Sequence, residues 1–194
     1  MGEAATTEAD RFLALLRPIE RDLETYCRRL IWEPHEAADA LQNAVMRALA
    51  AFDRYHEDAS FRAWMFKILT HEAFALNRKH ARIARHEFQL EPEELEGLPC
   101  AEDLKPGGGQ LLSAEALEEL LEPALAAGLK TLTDTERAVL LLRAIGELRY
   151  REISESLEIP LGSVMGNLAR ARQKMRAYLA RAERRSHLLK QSRA

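Results

Sequence analysis

The chain has 194 residues, 47% of them hydrophobic and 30% charged, which is enough to bury an apolar core in one or two soluble domains. Its 28 basic and 31 acidic groups leave a net charge of −3, and no apolar run approaches the ~20 residues of a membrane-spanning helix. Cys27, Cys100 and the 6 histidines match no metal-ligand spacing, so neither a metal centre nor a disulfide framework is expected, and no cofactor is implied.

Ala, Leu, Glu and Arg dominate and β-branched residues are sparse, which predicts an all-α fold. The opening MGEAATTEAD is acidic and lacks the charged-then-apolar order of a signal peptide, so the expected location is the cytoplasm. The small net charge hides a strong pattern. Residues 10–86 carry +2, residues 87–128 carry −10, and residues 129–194 carry +7. Two basic ends flank an acidic middle, and local fields of this kind attract a polyanion whatever the overall balance.

In chain order, RFLALLRPIERDLETYCRRLI reads as helix with an interruption at Pro18. EPHEAADALQNAVMRALAAF places Ala38, Leu41, Val45, Ala48 and Phe52 on one helical face, with Pro34 suited to the first turn. DRYHEDAS breaks that pattern as a loop. FRAWMFKILTHEAFALNRKHARIARHE resumes it, with Phe61, Trp64, Met65, Ile68 and Leu69 inward and a basic run, Arg78, Lys79, Arg82 and Arg85, at its end. The segment from Phe88 to Leu112 is rich in acids, Pro and Gly and reads as a linker. Ser113 is a candidate N-cap for SAEALEELLEPALAAGL, and TDTE at 133–136 has the form of a capping box for a helix with Ala138, Leu141, Leu142 and Ile145 inward. YREISESL is a short helix, EIP a break, and LGSVMGNLARARQKMRAYLARAERR a long final helix with Val164, Leu168, Ala171, Met175 and Leu179 inward.

The last two elements have helix-turn-helix spacing. Ile153 and Leu157 point inward, Ser154 is small enough for a close crossing, Ile159 plugs the turn, and Val164 and Leu168 seat the second helix. Glu158 stands at a turn position that would be strained if its φ were positive. The spacing by itself also fits a helical hairpin with an amphipathic final helix.

The stretch from Leu129 to Leu179 contains Arg137, Tyr150-Arg151-Glu152-Ile153, Gly162-Ser163-Val164, Leu168 and Arg170-Ala171-Arg172. It resembles the promoter-binding C-terminal domain of extracytoplasmic-function (ECF) sigma factors. AADALQNAVMRAL and FRAWMFKILTHEAFALNRKHAR resemble that family's other conserved domain, in the expected order. The resemblance implies an N-terminal sigma domain over 10–87, an acidic linker over 88–112, a helix-turn-helix domain over 113–185 and a tail over 186–194. It implies a sigma factor that binds the β′ coiled coil and β flap of bacterial core RNA polymerase, recognises promoter DNA and is controlled by an anti-sigma factor. Core polymerase would be met by Asp39, Leu41, Gln42 and Val45. The minus-ten element would be met by Tyr55, His56, Ser60, His71, Arg78, Lys79 and Arg82. His71 stands where the family often has Asn.

For the minus-thirty-five element, the implied residues are Ser163, Met165, Gly166, Asn167, Arg170, Arg172 and Lys174. Ser163 and free backbone N–H groups at the helix start suit a phosphate. Arg170 is the foremost candidate for a base or phosphate, Asn167 can read adenine, and Met165 can meet a thymine methyl. No Ser-His-Asp set or phosphate loop is present, so catalysis is not expected. A sigma mimic that sequesters an anti-sigma factor and a stand-alone helix-turn-helix regulator remain alternatives. The first would lose the basic groups at both ends, and the second would leave the N-terminal match unexplained.

Overall fold

The computed structural model describes residues 7–56, 60–88 and 123–191, with side chains described through 83 and 184 in the last two segments. The Ser113 cap and the segment from 89 to 112 lie outside the described residues. Eight helices appear among them and no strand. They are α1 (Glu8–Leu16), α2 (Glu20–Leu30), α3 (Ala37–Ala50), α4 (Phe61–Phe88), α5 (its described part, residues 123–129), α6 (Asp134–Ala144), α7 (Tyr150–Leu157) and α8 (Leu161–Gln191). α8 continues through Gln191, past the boundary at 185 expected for the tail.

Helix starts follow local chemistry. Thr7 and Asp10 form a capping box on α1, and Thr133 and Glu136 form the one read from TDTE on α6. Pro18 lies in a 3-10 turn, Arg17–Ile19, that separates α1 from α2, because proline has no N–H for the α ladder. Pro34 likewise opens a 3-10 turn that leads into α3.

α1–α4 share one core. Phe12, Leu23, Tyr26, Leu30, Met65, Phe66, Leu69 and Ala73 are fully buried in it. Each large apolar side chain removed from water stabilises the fold by roughly 1.5–3 kcal/mol. Tyr26 donates to Thr70 Oγ1 at 2.6 Å, and Thr70 donates to Phe66 O at 2.6 Å, so the two buried hydroxyls satisfy each other. Ala48 and Phe52 are buried as expected, but the first turns of α3 bury the positions one residue earlier than the expected Ala38, Leu41 and Val45. Ala37, Ala40, Ala44 and Ala48 are buried, Leu41 and Val45 flank the core half-exposed, and Ala38 is exposed. Four alanines let α3 lie close against α4, and the bulkier side chains fit only at the rim.

α6–α8 form the second core around Ala138, Val139, Leu142, Leu148, Ile153 and Val164. α8 buries Val164, Leu168, Ala171 and Met175, while Leu179 and Leu157 are half-buried. Ser154 donates to Ile159 O at 2.6 Å, which closes the turn, and Ser156 is buried. Glu158 has φ 56° and ψ 39°, a left-handed cap of α7, and Glu147 shares φ 56°.

The two cores touch. Arg62 of α4 donates to Gly146 O at 2.6 Å, to Ile145 O at 2.7 Å and to Asp22 Oδ2 at 2.7 Å. Lys67 reaches Glu155 O at 3.3 Å and His71 Nε2 lies 3.2 Å from Ser156 O, so α4 side chains cap carbonyls at the ends of α6 and α7. Buried Arg137 of α6 donates to Leu129 O and Leu30 O, and Trp32 Nε1 donates to Asp134 Oδ1. Burial holds the Arg137 guanidinium below its usual range, opposed by the nearby Asp134 charge.

Candidate nucleic-acid interface

The start of α8 is exposed where a recognition helix must be. Leu161, Gly162, Ser163 and Met165 face solvent, with Met165 49% exposed. The side chains of Ser163, Asn167, Arg170 and Lys174 fall at spacings of 4, 3 and 4 residues along one face, because these spacings return to the same side of a 3.6-residue helix. Ser163 N–H donates to Pro160 O at 2.9 Å, which leaves the exposed Ser163 side chain and the N–H groups before it as the groups at the helix start that can face a phosphate.

Arg170 folds back along the helix. Its Nη2 donates to Asn167 Oδ1 at 3.0 Å, and Asn167 Nδ2 donates to Ser163 O at 2.8 Å. A Cβ added at Gly166 would lie 3.4 Å from Arg170 Nη1, an ordinary contact, so the guanidinium passes over a position without a side chain. Arg170 Nε lies 3.5 Å from Glu136 Oε1, and Lys174 Nζ donates to Glu136 Oε2 at 2.8 Å. Glu136 therefore serves the start of α6 and the Arg170–Lys174 face of α8 together. Burial raises its carboxyl pKa, but hydrogen bonds from Lys174 and the Thr133 backbone, with the Lys174 and Arg170 charges, bring it below the usual range. Arg172 is exposed.

In the first unit, Arg78, Lys79 and Arg82 are exposed along the last described turns of α4. His71 is exposed but engaged with Ser156 O on the second unit. Ser60 Oγ accepts from the Ala63 N–H at 3.2 Å as a cap of α4. Tyr55 is half-buried, stacked on Phe52 with centroids 5.7 Å apart and packed against Phe61 and Trp64. The ring thus belongs to an aromatic cluster at the edge of the core, and His56 is exposed beside it. On α3, Asp39 and Gln42 are exposed and Leu41 and Val45 half-exposed. Met46, 61% exposed, and Leu49, 38% exposed, enlarge the apolar surface of this helix beyond the residues read from the sequence.

Residue-by-residue reading of the sequence passed over Glu136, Arg62 and Lys67 as parts of the site. The capping box marked Glu136 as a helix-start residue, but its pairing with Lys174 spans 38 residues and has no local signal. Among the described residues no cluster of His, Cys, Asp and Glu is arranged to hold a metal ion, and no helix is long and apolar enough to cross a membrane.

Comparison with known proteins adds to this geometry. The sigma-70 region 2 family matches residues 15–83, and the sigma-70 region 4 family matches residues 124–175. The chain is 27% identical over 173 residues to the ECF RNA polymerase sigma factor SigW of Bacillus subtilis, covering 89% of this chain and 90% of SigW. It is 31% identical over 153 residues to the ECF sigma factor SigE of Mycolicibacterium smegmatis, covering 79% of this chain and only 55% of that longer protein. Among solved structures, the fold is similar to the sigma factor RpoE of Bartonella quintana in complex with the anti-sigma factor NepR. The TM-score is 0.67 at 19% identity, over 88% of this chain and 97% of that one. It is also similar to CnrH in complex with the cytosolic domain of CnrY, with a TM-score of 0.58 at 22% identity over 87% of each chain.

Proposed function

The chain belongs to the sigma-70 family, in its extracytoplasmic-function branch, and from that premise we propose that it binds bacterial core RNA polymerase and directs it to particular promoters. The observation that carries this reading is the union in one chain of a region 2 unit and a region 4 unit whose recognition helix exposes Arg170, Arg172 and Lys174 beside a half-buried Asn167. The activity is recognition, with no covalent step assigned to the chain, and its place of action is the cytoplasm, where promoter DNA is.

Asp39, Gln42 and the half-exposed Leu41 and Val45 form the docking face of α3 for the polymerase β′ coiled coil. Arg78, Lys79 and Arg82 track the phosphate backbone at the minus-ten element, with His56 and the edge of Tyr55 beside the opened strand. On α8, Asn167 and Arg170 read base edges and Arg172 and Lys174 hold the backbone. Phosphate contacts fix position and base contacts fix sequence, so the two groups have different effects when removed.

The contacts between the units bear on regulation. The two promoter elements lie about 25 base pairs apart, roughly 85 Å of B-form DNA. In the free chain α4 and α7 are within hydrogen-bond distance. Engagement of both elements therefore requires the units to part, and an anti-sigma factor that stabilises the closed arrangement keeps the chain from promoters.

Transcription from a promoter-bearing template by purified core polymerase plus this chain is the direct test. The expected result is transcripts that start at one defined position and vanish without the chain. Arg78→Ala with Arg82→Ala should slow strand opening more than initial binding, and Arg170→Ala should weaken selection of the minus-thirty-five element. If core polymerase initiates identically with and without the chain, the reading fails.

A further inference from the structure

We propose that Glu136 is a positioning residue for promoter selection: it fixes Arg170 and, through Arg170, the amide of Asn167, and so sets which base edges α8 reads. The inference rests on the promoter-binding role of α8 and deepens it.

Glu136 already has a structural duty, since its Oε2 accepts from the Thr133 N–H at 3.1 Å in the α6 capping box. That duty needs one oxygen and no cation. Yet the same oxygen accepts from Lys174 at 2.8 Å, and Oε1 faces Arg170 Nε at 3.5 Å. The Glu136 side chain is only 5% exposed, whereas those of Arg170 and Lys174 are 58% and 43% exposed. A fixed, shielded anion thus lies behind two cations whose other faces meet solvent. Such an anion holds the cations in place more firmly than a surface partner would, because its own rotamer is locked by the cap and by packing.

Arg170 then acts on Asn167. Its Nη2 occupies one lone pair of Asn167 Oδ1, and Ser163 O occupies one hydrogen of Nδ2. One lone pair and one N–H remain, on adjacent atoms of a fixed amide. That pair is complementary to the N6–H donor and N7 acceptor of adenine. The guanidinium passes over Gly166, its Nη1 within 3.4 Å of where a Cβ would lie. The sparse first turns of α8 thus present one oriented amide backed by a carboxylate–guanidinium relay. Glu136 also cancels one of the two positive charges beside it, which lowers sequence-independent attraction to phosphate.

The test uses holoenzyme assembled from core polymerase and the full chain. The templates carry the minus-thirty-five element mapped upstream of the chain's own transcripts, or single-base substitutions of it, with a constant minus-ten region. Glu136→Gln keeps an oxygen for the Thr133 N–H and removes the charge. The expected result is that discrimination at one base pair falls by about tenfold, a size typical of one bidentate base contact. The slope of log affinity against log salt should steepen by about 0.9, one added phosphate contact. In an Arg170→Ala background, Glu136→Gln should produce no further loss of discrimination, because the relay is already broken. Glu136→Gln loses the stability that the charged carboxylate contributes at neutral pH, and Thr133→Ala, which removes the other half of the cap, should lower stability without changing base preference, so a loss of discrimination in Glu136→Gln alone is not a consequence of lowered stability.

Wild-type discrimination and salt slope in Glu136→Gln overturn the inference and leave the promoter reading standing. So does an undiminished Glu136→Gln effect in the Arg170→Ala background. A wild-type holoenzyme that ignores every substitution in the minus-thirty-five element overturns the promoter role of α8 and the inference with it.

Discussion

Arg62→Ala offers the sharpest probe of how the two units are held together. The guanidinium bridges α4 to the α6–α7 corner through Gly146 O at 2.6 Å and Ile145 O at 2.7 Å, with Asp22 Oδ2 at 2.7 Å on its own unit. It also lies 5.4 Å from the centroid of the Phe66 ring. A net hydrogen bond to a charged group contributes about 1.5–3 kcal/mol when shielded. The Arg62 side chain is 24% exposed and Asp22 is 43% exposed, so the lower end applies and the ion pair itself adds about 1 kcal/mol or less. The two carbonyls regain water when the units part, so only the bridging bonds count toward closure. The sum is a loss of about 2–4 kcal/mol in the closed arrangement, or a shift of roughly 30- to 1,000-fold toward open. Small-angle scattering should show an increased radius of gyration, and amide exchange at 145–148 should accelerate. Asp22→Asn retains the two carbonyl bonds and should move the same readouts far less. If Asp22→Asn matches Arg62→Ala, the ion pair and not the carbonyl capping holds the corner, and the reasoning is refuted. Unchanged scattering and exchange in Arg62→Ala refute it equally.

Four other outcomes follow from single features. Gly146→Ala places a Cβ 2.6 Å from Leu142 O, a backbone atom that cannot turn away, and should cost about 1–3 kcal/mol in denaturant titration, with faster exchange at the Arg62 corner. Glu158→Gly relieves a left-handed residue, worth about 1–2 kcal/mol, against about 0.5–1 kcal/mol of added chain freedom and a weak exposed pairing with Lys67, so thermal unfolding should shift upward slightly or not at all. Because the Glu136 carboxyl is lowered in the folded state, its contribution is fully present above the unfolded value of 4.5 and is lost as pH falls through the folded value; the stability gap between wild type and Glu136→Gln should therefore hold at neutral pH and shrink below about pH 4.5. Burial pushes the Cys27 thiol up to about 12, and its Sγ lies 3.4 Å from Ala37 O, so peptide mapping after native alkylation at pH 8 should find Cys27 unmodified until the chain is unfolded.

Much of the architecture was legible locally. Pro18 marked the break between α1 and α2, TDTE marked the start of α6, and YREISESL gave α7 with its observed bounds. These signals work because caps, prolines and 3.6-residue periodicity act within a few residues of where they are written. The two-unit organisation and the family resemblance were equally readable, since each motif is contiguous in the chain. The turn position of Glu158 marks it as strained if its φ is positive, and its φ is 56°; Glu147 shares that φ.

What the sequence determined by itself is the kind of molecule: an all-helical fold with two basic units and a helix-turn-helix, together with the resemblance that nominates candidate residues for facing polymerase and DNA. What only the tertiary structure decided is how those residues are engaged. The face of α3 is set by four alanines against α4, and Tyr55 joins an aromatic cluster. His71 is held by Ser156 O, and Arg170 and Lys174 lean on a carboxylate far away in sequence. The physical reason is range: periodicity and capping report forces along one helix, while ion pairs and carbonyl caps between helices depend on which surfaces packing brings within about 3 Å.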